Sequence, residues 1–294
     1  MLRTRLWMGT ILVMLGLGIL VGDQFLSPWQ PFLLMTILII GARGLYELRV
    51  LLPVERRPNF FLSLVGLMTL LLGNWIVALQ QLDPPLISPN YSVWKFIGLT
   101  VLGFLVASFF FEMARYTGPG GSIERIALGL WMVAYLGLTA CCLAQLGWLR
   151  ETGPGWTVPL STLALGLAFF VPKAGDIAAY FTGRLIGRNR MAPLLSPKKT
   201  WEGAIGGFLG SVAATLGLLQ LAPAGRFSLI EGVIAGSIIA VVSQLGDLAE
   251  SLIKRDSQVK DASASVPGFG GVLDVIDSIL LAAPVIYVWL SSGP

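Results

Sequence analysis

Apolar residues along this chain fall into blocks of about 17–24, the length a helix needs to cross a hydrocarbon core of roughly 30 Å. Short polar stretches separate the blocks. Read in order, they predict nine membrane-spanning helices at about 6–21, 30–46, 60–80, 94–112, 124–147, 157–175, 203–221, 229–246 and 273–291. The first block follows Arg3 and Arg5 and could pass for a signal peptide. Its sequel, Gly22-Asp23-Gln24-Phe25-Leu26-Ser27-Pro28, has no small-x-small cleavage site, so a retained helix is expected.

Composition excludes the main alternatives. Of 294 residues, 55% are apolar and 12% charged, and the mean hydropathy is +0.79. A soluble globule carries charge on about a quarter of its residues, and a disordered chain needs low hydrophobicity with high net charge. The expected fold is therefore an all-α integral membrane protein of about nine transmembrane helices, forming one polytopic domain over 1–294. No tail, linker or low-complexity tract interrupts it. Histidine is absent, which removes Ser-His-Asp triads, His metal ligands and His bases. The only cysteines, Cys141 and Cys142, are adjacent in an apolar run and read as small packing residues. Chemistry is left to carboxylates, Lys, Arg and hydroxyls.

Charge then gives orientation. Threading nine spans puts 17 of the 20 basic residues on one side, with Lys95, Arg150 and Arg226 on the other. By the positive-inside rule the N-terminus is expected to be cytoplasmic. On the same threading 12 of the 16 acidic residues share that side, which the rule does not explain because acids contribute little to it. These carboxylates need a separate reason. The long connections at about 176–202 and 247–272 on that side are the most polar parts of the chain.

The sharpest stretch runs from Gln244 to Asp261. If the eighth span continues as helix, Asp247, Glu250, Ser251 and Lys254 recur at i, i+3, i+4 and i+7 and share one face at the membrane boundary. Next come a turn, Pro267-Gly268-Phe269-Gly270-Gly271, and then Asp274 and Asp277 at the head of the last span. Carboxylates at the start of an apolar helix are costly unless they pair, bind metal or line a wet cavity. Two such sets facing each other across a Gly-rich turn suit Mg²⁺, which takes a few carboxylates and completes its octahedron with water and phosphate. Lys254, Arg255 and Lys260 could neutralise phosphate charge. Pairing with those same cations, or helix capping, is the competing reading for each carboxylate.

A second stretch, Ser196-Pro197-Lys198-Lys199-Thr200-Trp201-Glu202-Gly203, leads into the seventh span. Its lysines and hydroxyl suit a lipid or nucleotide phosphate, and equally suit an ordinary basic, aromatic membrane boundary. Upstream, Asp176 and Tyr180 stand at i, i+4.

Taken together these residues resemble a known family. Ser251-Leu252-Ile253-Lys254-Arg255, Lys260-Asp261 and Pro267-Gly268-Phe269-Gly270-Gly271-Val272-Leu273-Asp274-Val275-Ile276-Asp277-Ser278 resemble the signature of the phosphatidate cytidylyltransferases, or CDP-diacylglycerol synthases. Residues 196–203, with Asp176, Tyr180-Phe181 and Gly183-Arg184, look like that family's other shared blocks. The resemblance covers about 173–285. It implies a membrane enzyme, a homodimer in a bacterial inner membrane, that joins CTP to phosphatidate on the cytoplasmic side. It further implies metal held by Asp247 and Asp274, with Mg²⁺ and also K⁺ as the ions. Lys254, Arg255, Lys260, Asp261 and Asp277 become catalytic candidates, Asp277 as an additional ligand, while Lys198, Lys199, Thr200, Ser251 and Asp176 become substrate contacts. Two positions depart from the signature, where Phe269 stands for His and Val275 for Arg.

Three other readings are open at this stage. They are a CTP-dependent transferase acting on another lipid, a non-catalytic lipid-binding paralogue, and a transporter. A transporter predicts charge deep within several spans, whereas these acids gather at one face. The pI of about 9.2 does not imply a nucleic-acid partner, because topology and anionic headgroups account for the basic excess.

Overall fold

A run of apolar residues becomes a helix in lipid because every backbone N–H and C=O must find its partner within the segment. The computed structural model, which describes residues 2–151, 155–268 and 270–292, shows this outcome throughout. Its helices are α1 (Leu2–Phe25), α2 (Pro31–Leu51), α3 (Phe60–Gly73), α4 (Ile76–Gln80), α5 (Val93–Ala114), α6 (Ser122–Leu146), α7 (Leu160–Ile186), α8 (Trp201–Leu219), α9 (Leu229–Asp256) and α10 (Leu273–Ser291). With α3 and α4 counted as one span, nine helices among the described residues are long and apolar enough to cross a membrane. The break between α3 and α4 is local. Asn74 there is fully buried, donates to the Leu70 and Leu71 carbonyls at 3.1 Å each, and accepts from Gln145 of α6 at 2.9 Å. An Asn side chain bonding to its own backbone competes with the helical ladder. Cys141 and Cys142 are free thiols in α6.

Several helices outrun the apolar blocks that predict them, the sixth and eighth spans by about ten residues. The sixth continues from about 175 to Ile186 and the eighth from about 246 to Asp256. Apolarity ends where the helices leave hydrocarbon, but backbone hydrogen bonding does not. The extensions carry Asp176 on α7 and Asp247, Glu250 and Lys254 on α9. The small non-helical addition is a hairpin of β1 (Arg190–Ala192) and β2 (Ser196–Thr200), pairing Arg190 with Thr200 and Ala192 with Ser196. The Ser196–Thr200 stretch is thus a strand. Thr200 then caps α8, accepting from the Gly203 N–H at 3.1 Å.

The main apolar core draws on α1 to α4 and α6 to α10, and a smaller cluster joins α3, α5 and α6. The last four helices form the tightest group, α7 packing on α8, α8 on α9 and α9 on α10. Small residues allow this approach, as is usual where lipid supplies no hydrophobic drive between helices. A Cβ on Gly207 would lie 2.9 Å from the Ala179 Cβ and 3.0 Å from the Gly175 carbonyl oxygen. A Cβ on Gly246 would lie 2.5 Å from the Asp277 backbone oxygen. The backbone of α10 cannot yield as a side chain can. Gly246→Ala is therefore expected to push α9 from α10, costing about 1–3 kcal/mol as other overpacked contacts do. Thermal unfolding in detergent reads this as a lowered midpoint, and an unchanged midpoint would refute it.

Candidate active site

Because α9 stays helical to Asp256, the side chains of Asp247, Glu250, Ser251 and Lys254 share one face over two turns. Glu250, Ser251 and Lys254 are buried. Across from them lies the start of α10, with Asp274 in its first turn and the buried Asp277 just beyond. α7 adds Lys173 and Asp176 from one side, and β2 adds Lys199 from another.

The charges form three ion-paired groups. Lys199 Nζ lies 2.6 Å from Asp247 Oδ2. Lys254 Nζ bridges Glu250 Oε2 at 2.8 Å and Asp274 Oδ1 at 2.6 Å. Lys173 Nζ contacts Asp176 Oδ2 at 3.0 Å, Ser278 Oγ at 2.9 Å and Asp277 Oδ1 at 3.7 Å. Intramembrane charges of this kind are tolerated when they pair or line a polar cavity, and they mark functional sites.

Pairing does not account for all of it. Asp247, Glu250 and Asp277 each present an oxygen within 4.8 Å of the others, so like charges converge where repulsion is least screened. Glu250 Oε1 is buried without a hydrogen-bond partner. An orphaned buried carboxylate oxygen beside two others is what a hard cation corrects. All the donors are oxygen, which suits Mg²⁺ and not a thiolate-binding or imidazole-binding metal. The residues therefore fit the ion that the resemblance implies.

The placements differ in detail from the expected roles. Asp247 belongs to the three-carboxylate cluster as a metal candidate should. Asp274, the other expected ligand, has both oxygens engaged by the protein: Oδ1 accepts from Lys254, and Oδ2 from the Gly271 N–H at 2.6 Å and the Ala262 N–H at 3.2 Å. Asp277, expected as an additional ligand, belongs to the three-carboxylate cluster. Arg255 points away from the carboxylates and donates to the Leu195 carbonyl at 3.0 Å and the Val259 carbonyl at 2.9 Å, tying the hairpin to the end of α9. Lys198, Lys260 and Asp261 are exposed, and none makes an ion pair among the described residues. Thr200 serves as a helix cap. The structure thus unites Asp176, Lys199, Asp247, Lys254, Asp274 and Asp277, places buried Ser251 on the same face of α9, and leaves Lys198, Thr200, Arg255, Lys260 and Asp261 at the margin.

Three contributors carry little signal in the sequence. Glu250 shares the Asp247 face at i+3, but single helical spacing cannot show that its free oxygen turns toward α10. Lys173 follows Pro172 inside α7 and reads as a boundary cation until α10 packs beside it. Glu47 lies on α2, more than two hundred residues from the loop it binds.

A model of the Cytidylyltransferase family matches residues 2–292. The chain belongs to this family. Among its relatives is the phosphatidate cytidylyltransferase of Brucella suis, 42% identical over 134 residues that make up 45% of this chain and 48% of that protein. Another is that of Pseudomonas aeruginosa, 44% identical over 168 residues, covering 56% of this chain and 57% of that protein. A third, from Synechocystis, is 42% identical over 133 residues, covering 45% and 44%. The matched region spans about half the length of these curated relatives.

Within this cytidylyltransferase family member, the two departures noted in the sequence have different standing. Phe269 lies outside the described residues. Val275 is partly buried and packs on the main apolar core, so its position contributes packing. A cation beside Asp277 is Lys173 of α7, at 3.7 Å.

Proposed function

We propose that this protein transfers CMP from CTP to phosphatidate, giving CDP-diacylglycerol and pyrophosphate for phospholipid biosynthesis. The carrying observation is the convergence of three carboxylates and three lysines on four elements, built from the stretches that resemble the phosphatidate cytidylyltransferases. The name borne by the relatives supports the same reading.

The chemistry asks for little that this site lacks. A phosphate oxygen of phosphatidate attacks the α-phosphorus of CTP; a new P–O bond forms there, the bond to the bridging oxygen breaks, and its electron pair leaves on pyrophosphate. The nucleophile is ionised at neutral pH, so a chain without histidine is not short of a base. What the step needs is positioning and charge neutralisation. Lys199 and Lys254, now held by carboxylates, are the groups that turn to phosphate oxygens, and such charge-assisted bonds are short and strong. Lys173 holds Asp277 and Asp176 in place. Glu250 and Asp277 are only 3% and 5% exposed, so little water competes for their oxygens. Asp247, Glu250 and Asp277, with Asp274 beside them, are the residues that would hold Mg²⁺, which when bound would supply charge neutralisation to the triphosphate; K⁺ is the second ion in this reading.

The basic excess supports a cytoplasmic N-terminus, which puts the site on the cytoplasmic face of the membrane. A bacterial inner membrane and a homodimer complete the proposal. The test is pyrophosphate release from CTP by detergent-purified protein, with and without phosphatidate and Mg²⁺. Release that requires both is expected. Release with a polyprenyl phosphate in place of phosphatidate would assign another lipid acceptor. Absence of release from folded protein would refute the enzyme.

A further inference from the structure

Glu47 stands in the half of the chain that carries none of the shared stretches, yet five donors converge on its carboxylate. They are Arg43 Nε at 3.2 Å, Ser263 Oγ at 2.7 Å, Ser265 Oγ at 3.0 Å, the Val272 N–H at 3.2 Å and the Leu273 N–H at 3.0 Å. The residue is 1% exposed. A carboxylate this deep between apolar helices is costly unless something requires it.

The requirement is visible at the start of α10. That helix has no side-chain cap of its own, since Val272 occupies the capping position. Its first N–H groups have no intrahelical partner, and Glu47 accepts two of them from across the bundle. The anion also sits at the positive end of the helix dipole. Gly271 covers it closely, for a Cβ there would lie 2.7 Å from Glu47 Oε2. One turn earlier on α2, a Cβ on Gly44 would lie 3.3 Å from Leu273 Cδ2, so the two helices meet at this point. Glu47 therefore joins α2, the loop after α9 and the first turn of α10. Asp274 and Asp277 lie in and just beyond that turn.

A local Ser or Asp at the capping position would have satisfied the same donors. Capping from α2 does something more, because it sets where α10 begins relative to the rest of the bundle. We infer that Glu47 is a positioning residue for the transfer, fixing the first turn of α10 and with it the distances from Asp274 and Asp277 to Asp247, Glu250 and Lys254. The inference rests on the site being the metal-dependent centre proposed above.

The test uses the full-length protein with Glu47→Gln and Glu47→Ala. It reads Mn²⁺ binding by electron paramagnetic resonance, hydrogen exchange at the Val272 and Leu273 amides, and steady-state kinetics. Gln keeps the shape and one acceptor oxygen and loses the charge, so it remains informative should the Ala variant fail to fold. Expected for Gln are faster exchange confined to the start of α10 and Mn²⁺ binding weakened by about 10–100-fold, the usual loss when a group orienting a metal ligand is removed. A fall in kcat of similar size should accompany them, with KM for CTP changed less than about threefold. Unchanged Mn²⁺ affinity in folded Gln protein would overturn the inference, as would faster exchange spread over every helix. Wild-type protein that binds Mn²⁺ but releases no pyrophosphate would refute the enzymatic reading alone, and the binding and exchange results would still decide the role of Glu47.

Discussion

Asp277→Asn is expected to lower pyrophosphate release by about 10³-fold, the scale of losing a preorganised electrostatic group, and to leave the metal-free protein no less stable. The two effects have one cause. Asp277 is 5% exposed and shares a 4.8 Å cluster with Asp247 and Glu250, against one lysine contact at 3.7 Å. Without an ion the three carboxylates repel one another, and removing one charge relieves that repulsion. An amide keeps an oxygen for the Ser278 N–H, which Asp277 accepts at 2.6 Å. Sites arranged for function commonly give up stability in this way. Thermal unfolding with and without Mg²⁺ tests it: the wild-type midpoint should rise with Mg²⁺ more than that of the variant. A variant that is much less stable in metal-free buffer would show that Asp277 is a structural ion-pair partner and not a ligand.

Lys254→Met should do the opposite to stability. Lys254 is the cation between Glu250 and Asp274, at 2.8 and 2.6 Å, and all three side chains are at least nine-tenths buried. Methionine fills much of the volume but leaves two carboxylates without their partner. Breaking a buried ion pair from one side typically costs about 3–5 kcal/mol. A clear drop in the unfolding midpoint is expected, together with loss of activity. Adding Asp274→Asn to Lys254→Met should recover part of the stability and none of the activity, since the remaining charge is then smaller while the cation proposed to bind phosphate is still missing. Equal midpoints for the single and double variants would contradict the assigned pairing.

The contrast between these two substitutions separates what could be read in the sequence from what could not. Nine apolar blocks of spanning length leave the backbone no alternative to helix in lipid, so the fold class follows from the order of residue types alone. The faces of the polar stretches are equally local. Asp247, Glu250, Ser251 and Lys254 must share a side of any helix that contains them, because helical periodicity decides it. The spacing of Asp274 and Asp277 is of the same kind. Helix ends are less legible, since hydropathy marks where lipid ends and α7 and α9 continue past that point as amphipathic helices.

Which charge meets which is a matter of packing between segments far apart in the chain. Nothing near Lys173 announces that α10 will bring Asp277 beside it, and nothing near Asp274 shows that Lys254 and two loop amides will occupy its oxygens. Thr200 and Arg255 carry chemistry suited to phosphate and are used by the fold, one as a cap and the other as a tie to the hairpin. Glu47 is the extreme case, an acid near the end of α2, four of whose five donors lie on the loop after α9 and at the start of α10, more than two hundred residues away. Local sequence determines helices and their faces because their hydrogen bonds and periodicity are short-range. The tertiary structure alone decides the charge network, because Coulomb and hydrogen-bond energies depend on distances that only the packed bundle sets.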